Sequence, residues 1–240
     1  MSLVGLIVAL PGEKSTLTKA RIRSGHISRL NDKTLLSLSG IGPDKARRAA
    51  EILVEQGSNA LLSWGCAAAL DPRLQAGDLV VPEKVSCAQG ESLRTDSGWR
   101  TKVLDGLADC GSIHEGAIIE SRTLVANAAD KKALHERSGA IALDMESAAI
   151  ARVAVRHRLP FLAVRAIADR ADMDLPKPVA NAMDRNGDLN MPLLLALIFA
   201  YPNSLPALLR LGRCFRAARR SLRSVALRLE YDFRPETRST

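Results

Sequence analysis

Seven short apolar runs alternate with helix-patterned segments along the first 170 residues, and this alternation restricts the fold more than any other feature. The strand-like runs are 3–10, 34–39, 60–63, 78–85, 116–120, 140–143 and 161–168. Helical patterns occupy 43–55, 99–109, 127–137 and 146–157, with Pro43 at a helix start, where its missing N–H costs nothing. Strands that keep returning through helices predict an α/β fold with a mainly parallel sheet covered by helices. With 240 residues and 47% hydrophobic content, the chain suits one such domain with a sizeable core. A polar, Pro- and Gly-containing segment, 176–190, reads as a mobile loop before two C-terminal helices.

Within this pattern, residues 140–174 carry the most chemistry. A short apolar run leads into Asp144, Met145 and Glu146, a helix follows, and the next strand ends on Asp169. Carboxylates are thereby delivered to a helix start and a strand end of one α/β unit, where such folds build sites. Read singly, Glu146 is also what a helix dipole favours in a first turn. Asp169, Asp172 and Asp174 equally suit a solvated acidic loop or a weak Mg²⁺ site, and Glu13 after Pro-Gly suits an ordinary turn.

Other classes are disfavoured. Cys66, Cys87, Cys110 and Cys214 form no CxxC pair, and the four histidines show no ligand spacing, so free thiols and no metal are expected. An aromatic content of 3% supplies few base-stacking groups, which argues against nucleic acid as a partner. The N-terminal run reads as a buried strand and not as a signal peptide, and with the free thiols a cytoplasmic location is the expectation. The longest apolar run, 191–201, is 11 residues, short of a membrane span.

The net charge of +8 is unevenly placed. Residues 201–240 hold nine Arg against Glu230, Asp232 and Glu236, so the rest of the chain is nearly neutral. Within 207–229, Leu208, Leu211, Phe215, Ala218, Leu222, Val225, Ala226 and Leu229 fall on one helical face, and the arginines take the other. Such a helix packs on its own domain or a partner subunit, or docks on an anionic membrane surface at the inner face of the cytoplasmic membrane. The division expected is 1–190 for the catalytic domain and 191–240 for a helical, basic extension.

Four pieces occur in an informative order. Val8-Ala-Leu-Pro-Gly-Glu13 follows the first strand, and Ser39-Gly-Ile-Gly-Pro43 opens a helix. Trp64-Gly-Cys-Ala-Ala-Ala-Leu70 precedes Gly77-Asp-Leu-Val-Val-Pro82. Leu143-Asp-Met-Glu-Ser-Ala-Ala149 precedes Arg165-Ala-Ile-Ala-Asp169. Over residues 3–175 this set resembles the purine nucleoside phosphorylase and methylthioadenosine/S-adenosylhomocysteine nucleosidase superfamily. With the basic tail, it is most similar to the branch associated with hopanoid biosynthesis.

The resemblance implies a three-layer phosphorylase/nucleosidase fold with a central mixed, mainly parallel sheet, a homo-oligomer, and cleavage of adenine from a nucleoside, adenosylhopane for that branch. The alternatives are a soluble methylthioadenosine/S-adenosylhomocysteine nucleosidase and an inactive nucleoside-binding sensor or membrane adaptor. It implies that Met145 packs under the ribose and that Glu146 accepts hydrogen bonds from its hydroxyls. Asp169 matches the acid that serves purine N7 and the 6-amino group, and Glu13 the residue that activates water. Protonating the leaving base while a carboxylate favours the cationic sugar is sound general-acid logic. The family's glycine-rich turn with Ser is here Gly65-Cys66-Ala67-Ala68, which leaves Gly65 and Cys66 as substrate contacts. Inorganic phosphate is the alternative acceptor, with Gly12, Gly40 and Arg122 as its contacts. No cofactor is implied.

Overall fold

The computed structural model describes residues 3–87, 90–108, 111–182, 193, 196, 197 and 200–235. Eleven strands form one sheet: β1 (Val4–Val8), β2 (Ile27–Asn31), β3 (Thr34–Leu38), β4 (Ala60–Ala69), β5 (Leu79–Val80), β6 (Lys84–Cys87), β7 (Ser92–Arg94), β8 (Ile113–His114), β9 (Ala117–Glu120), β10 (Ala142–Asp144) and β11 (Phe161–Asp169). Among the described residues, the helices are α1 (Pro11–Lys14), α2 (Pro43–Glu55), α3 (Ser97–Gly106), α4 (Ala128–Ser138), α5 (Ser147–His157), α6 (Lys177–Ala182) and α7 (Leu205–Arg228).

The long strand β4 organises the sheet. Its first half runs parallel to β1, its length runs parallel to β11, and its end pairs antiparallel with β10. The order β2-β3-β1-β4-β10-β9-β6-β7 passes through it, while β11, β5 and β8 branch from its other side. Parallel pairs predominate, and the antiparallel ones are β2–β3, β10–β4, β11–β5 and β6–β7. The mixed, mainly parallel sheet expected from the sequence is therefore present.

Period-two alternation divides the core between two helical layers. Val4, Leu6 and Val8 of β1 face a cluster that includes Trp64, Leu162, Val164, Trp99 and the α7 residues Ala218, Leu222, Val225 and Ala226. Ile7 of the same strand faces a second cluster with Ala46, Ala50 and Leu53 of α2 and Ile150, Val153 and Ala154 of α5. Burying one strand on both faces explains its uniformly apolar sequence.

Several expectations shift. The strand expected at 60–63 continues to Ala69, so the expected glycine turn at 65–68 is extended strand. The run 78–85 is interrupted at Pro82 and gives β5 and β6. Strands β2, β7 and β8 and helices α1 and α6 went unread because each is too short or too polar to show a period. Lys177–Ala182 is helical where a loop was expected, and 183–190 and most of 191–199 lie outside the described residues. The basic tail supplies one long helix, α7, whose apolar face belongs to the same core as β1 and β11. A division at residue 190 is thus a division of sequence and not of the hydrophobic core.

Candidate active site

Three chain reversals at the ends of β1, β10 and β11 bring the site together. After β1, the single turn α1 folds the Glu13 side chain back under the chain. Its Oε2 accepts from the N–H groups of Ala9 (3.0 Å) and Leu10 (2.9 Å), and its Oε1 accepts from Cys66 N–H (2.7 Å). Gly65 makes the room, because a Cβ there would stand 2.6 Å from Oε1 of Glu13. A carboxylate has about four acceptor sites; with three taken by backbone donors, Glu13 is fixed and retains capacity for one more donor. Burial raises its pKa, offset by those N–H groups and by the Arg165 charge.

At the end of β10, Asp144 organises the start of α5. Its Oδ1 accepts from the N–H groups of Glu146 (3.3 Å) and Ser147 (3.2 Å), and Ser147 Oγ donates to Oδ2. The buried Arg165 donates to the same Oδ2 through Nε (2.7 Å) and reaches Ser63 Oγ (2.6 Å) and Ser147 Oγ (2.9 Å) through Nη2. Glu146 follows, 8% exposed, with Oε1 accepting from Gly42 N–H at 2.8 Å. Gly42 has φ of 102°, which favours a residue without Cβ and aims its N–H at Glu146. Burial pushes the Glu146 carboxyl up to about 8, helped by the neighbouring Asp144 and opposed by Arg165.

Along β11 the pairing with β4 shifts register between Ile167 and Asp169. Such irregularities re-aim side chains near sites, and Asp169 turns into the cavity. Its Oδ2 lies 2.6 Å from Nζ of the fully buried Lys131 on α4, and its Oδ1 is buried with no hydrogen-bond partner among the described residues. Burial raises the Asp169 pKa, the Lys131 ammonium pulls it back, and Asp172 and Asp174 add to the rise.

These groups open on one cavity of about 460 Å³, within the range of small-molecule sites. Glu13, Cys66, Met145, Glu146 and Asp169 all line it. Gly65 sits beside it, behind Glu13. The far wall is apolar, built from Leu175, Val179 of α6, and Leu208, Leu211 and Phe215 of α7. Burial and the adjacent Glu13 carboxylate push the Cys66 thiol well above its usual pKa, so it is a neutral wall group and no nucleophile. Among the described residues no three His, Cys, Asp or Glu side chains are grouped to hold a metal. That includes Asp169, Asp172 and Asp174: Asp172 is bound by Arg170 and Asp174 accepts from Ala128 N–H.

The phosphate contacts expected from the sequence are not assembled. Arg122 is exposed, because Ser121 Oγ bridges to Thr123 O (2.6 Å) in a turn that presents Thr123, not Arg122, to the cavity. Gly12 packs under α7, where a Cβ would stand 2.9 Å from the Phe215 ring. Gly40 lies outside the cavity walls, and the N–H that its turn aims inward, from Gly42, is taken by Glu146. Sequence reasoning assigned no role to Arg165, Lys131, Ser63 or Ser147. Arg165 did carry a signal, since a charge inside a fully apolar strand demands buried partners. Lys131 carried none, standing in an ordinary polar helix.

The sequence profile of the phosphorylase superfamily matches residues 4–201. The chain belongs to the phosphorylase superfamily. Its relatives include the aminodeoxyfutalosine nucleosidase of Campylobacter jejuni, 27% identical over 59% of this chain and 69% of that protein. The 5′-methylthioadenosine/S-adenosylhomocysteine nucleosidase of Maridesulfovibrio salexigens is 25% identical over 62% and 74%. Among solved structures, the corresponding nucleosidase from Neisseria meningitidis, in complex with methylthio-immucillin-A, superposes with a TM-score of 0.70 and 18% identity over 96% of this chain and 99% of its own. The three-layer fold is therefore that of this superfamily's nucleosidases. A superposition leaving 4% of this chain unmatched takes in most of α7, so the tail helix belongs to the shared fold.

Proposed function

We propose that this phosphorylase-superfamily chain cleaves the N-ribosyl bond of an adenosine-type nucleoside and releases adenine, using water as acceptor. The observation that carries the reading is the convergence of Asp169, Glu146, Met145 and Glu13 on one cavity. In this reading Asp169, through its unpartnered Oδ1, serves the base, and Glu146 holds ribose hydroxyls beside Met145. Glu13 takes a proton from the attacking water: its position is fixed by three backbone donors and its basicity is raised by burial. Water is favoured over phosphate because no cationic side chain lines the cavity among the described residues.

The substrate we propose carries a bulky apolar 5′ substituent, with adenosylhopane of hopanoid lipid biosynthesis as the candidate. Support comes from the wall of Leu175, Val179, Leu208, Leu211 and Phe215, which offers no polar side chain to a polar substituent. Leu205 and Leu209, both more than half exposed, extend this apolar surface outward along α7 beside exposed Arg210 and Arg213. We propose contact with an anionic bilayer through this half of α7. Its other half is committed to the core, and no described helix is long and apolar enough to cross a membrane. A second reading, a nucleosidase for 5′-methylthioadenosine or S-adenosylhomocysteine, is favoured by the similarity to the Maridesulfovibrio salexigens nucleosidase.

Product analysis tests these choices. Adenosylhopane in anionic and in zwitterionic vesicles, and soluble 5′-methylthioadenosine, are incubated with and without phosphate. The expected result is adenine and a free sugar in both buffers, with release fastest from anionic vesicles. A sugar-1-phosphate would establish phosphorolysis, and preference for the soluble thioether would establish the second reading.

A further inference from the structure

A lysine without exposed surface must satisfy its three N–H donors inside the protein. Lys131 does so at one point behind the cavity: Nζ lies 2.6 Å from Asp169 Oδ2 and donates to the carbonyls of Arg170 (2.9 Å) and Met173 (2.8 Å). It thereby fastens the turn after β11 to α4, a junction reinforced by Ala128 N–H donating to Asp174 Oδ1 and Leu175 N–H to Ala126 O. Of the two Asp169 oxygens, one is held by the lysine and the other is buried without a partner. The remaining charges nearby are Asp172 and Asp174 on the same turn, with Arg170 and Arg210 turned to Asp172. Glu13 and Glu146 line the same cavity. Among the described residues, Lys131 is the cation in ion-pair contact with Asp169.

We propose that Lys131 is a positioning residue that sets both the aim and the acid strength of Asp169; this rests on reading the cavity as a purine N-ribosyl cleavage site. Holding Oδ2 leaves Oδ1, buried and without a partner among the described residues, as the oxygen that carries the proton, and a small turn of the carboxyl presents it to the base. Protonated on Oδ1, Asp169 gives that proton to purine N7 while the C1′–N9 bond breaks and its electron pair passes to the base. The O–H bond of Asp169 is lost and the N7–H bond forms, C1′ gains a bond to the oxygen of the attacking water whose proton passes to Glu13, and the negative charge left on Asp169 stands against the Lys131 ammonium. Lys131 keeps its three protons throughout. A buried acid without that cation holds its proton too tightly to transfer it well, and one facing a bare solvent cation loses it too early.

The test is the pH profile of adenine release from adenosine and 5′-methylthioadenosine. In Lys131→Met the alkaline limb of kcat/KM moves to higher pH by about one unit or more and kcat falls about 10- to 100-fold, with KM little changed. Lys131→Arg, which keeps a cation, leaves the limb near its wild-type position and covers the case in which the Met variant does not fold. If neither nucleoside turns over, the same shift is read in the pH dependence of adenine binding by calorimetry. In an Asp169→Asn background, Lys131→Met adds little further loss, because the lysine acts through that carboxyl. An unmoved limb, or an equal loss in both backgrounds, overturns the proposal for Lys131. Wild-type release by Asp169→Asn alone would instead overturn the cleavage reading.

Discussion

The Arg165–Asp144 and Lys131–Asp169 pairs are both buried between the sheet and its flanking elements, yet they differ in how completely they are closed. Asp144 has a side chain 1% exposed, and both its oxygens are occupied by Arg165, Ser147 and backbone donors. Asp169 lines the cavity with a side chain 12% exposed, one oxygen held by Lys131 and the other buried without a partner among the described residues. A closed network fixes geometry: Asp144 caps the start of α5 and so places Glu146. An open pair leaves a buried polar atom unsatisfied, which costs about 1–3 kcal/mol unless something binds there. The contrast separates the carboxylate that builds the site from the one proposed to meet the ligand.

Breaking the closed pair gives the largest expected effect on folding. Arg165→Met leaves Asp144 buried without its cation and should cost about 3–5 kcal/mol in urea unfolding. Asp169→Asn also takes the anion from the fully buried Lys131, but the amide oxygen and the carbonyls of Arg170 and Met173 still accept from Nζ, so its cost should be smaller. Equal losses for the two would remove the distinction between a structural and a ligand-facing pair.

Much of this contrast was hidden from the sequence. The strand–helix order was legible because strands buried on both faces are uniformly apolar and α2 and α5 carry clear helical stripes. Asp144, Glu146 and Asp169 were legible because acids stood at the ends of those elements. The lengthening of β4 through Gly65 was not, since Gly-Cys-Ala-Ala-Ala has no alternation, and what requires Gly65 is the Glu13 carboxylate 52 residues away in sequence. The partners Arg165–Ser63 and Lys131–Asp169 are likewise set by tertiary packing, which no local pattern records. The α7 stripe was read correctly as amphipathic, but only packing decides that its second half closes the core while its first half borders the cavity.

A smaller effect concerns pH. Burial raises the carboxyls of Glu120 to about 7 and Glu146 to about 8, both from 4.5. Between those values the folded protein binds more protons than the unfolded chain, so stability falls as pH rises from about 5 to about 8, by at most about 1.4 kcal/mol per pH unit per group. Thermal unfolding of the unliganded protein across this range should show the decline. Glu120→Gln and Glu146→Gln should each flatten it, and a slope unaffected by both would show that these carboxyls are not held neutral by the fold.

Asp169 is the group proposed to meet the leaving base. The direct measurement is adenine release by Asp169→Asn, with circular dichroism as the control for folding. The expected result is a loss of about 10²–10⁴-fold with the fold intact; release at the wild-type rate by a folded Asp169→Asn protein would contradict it.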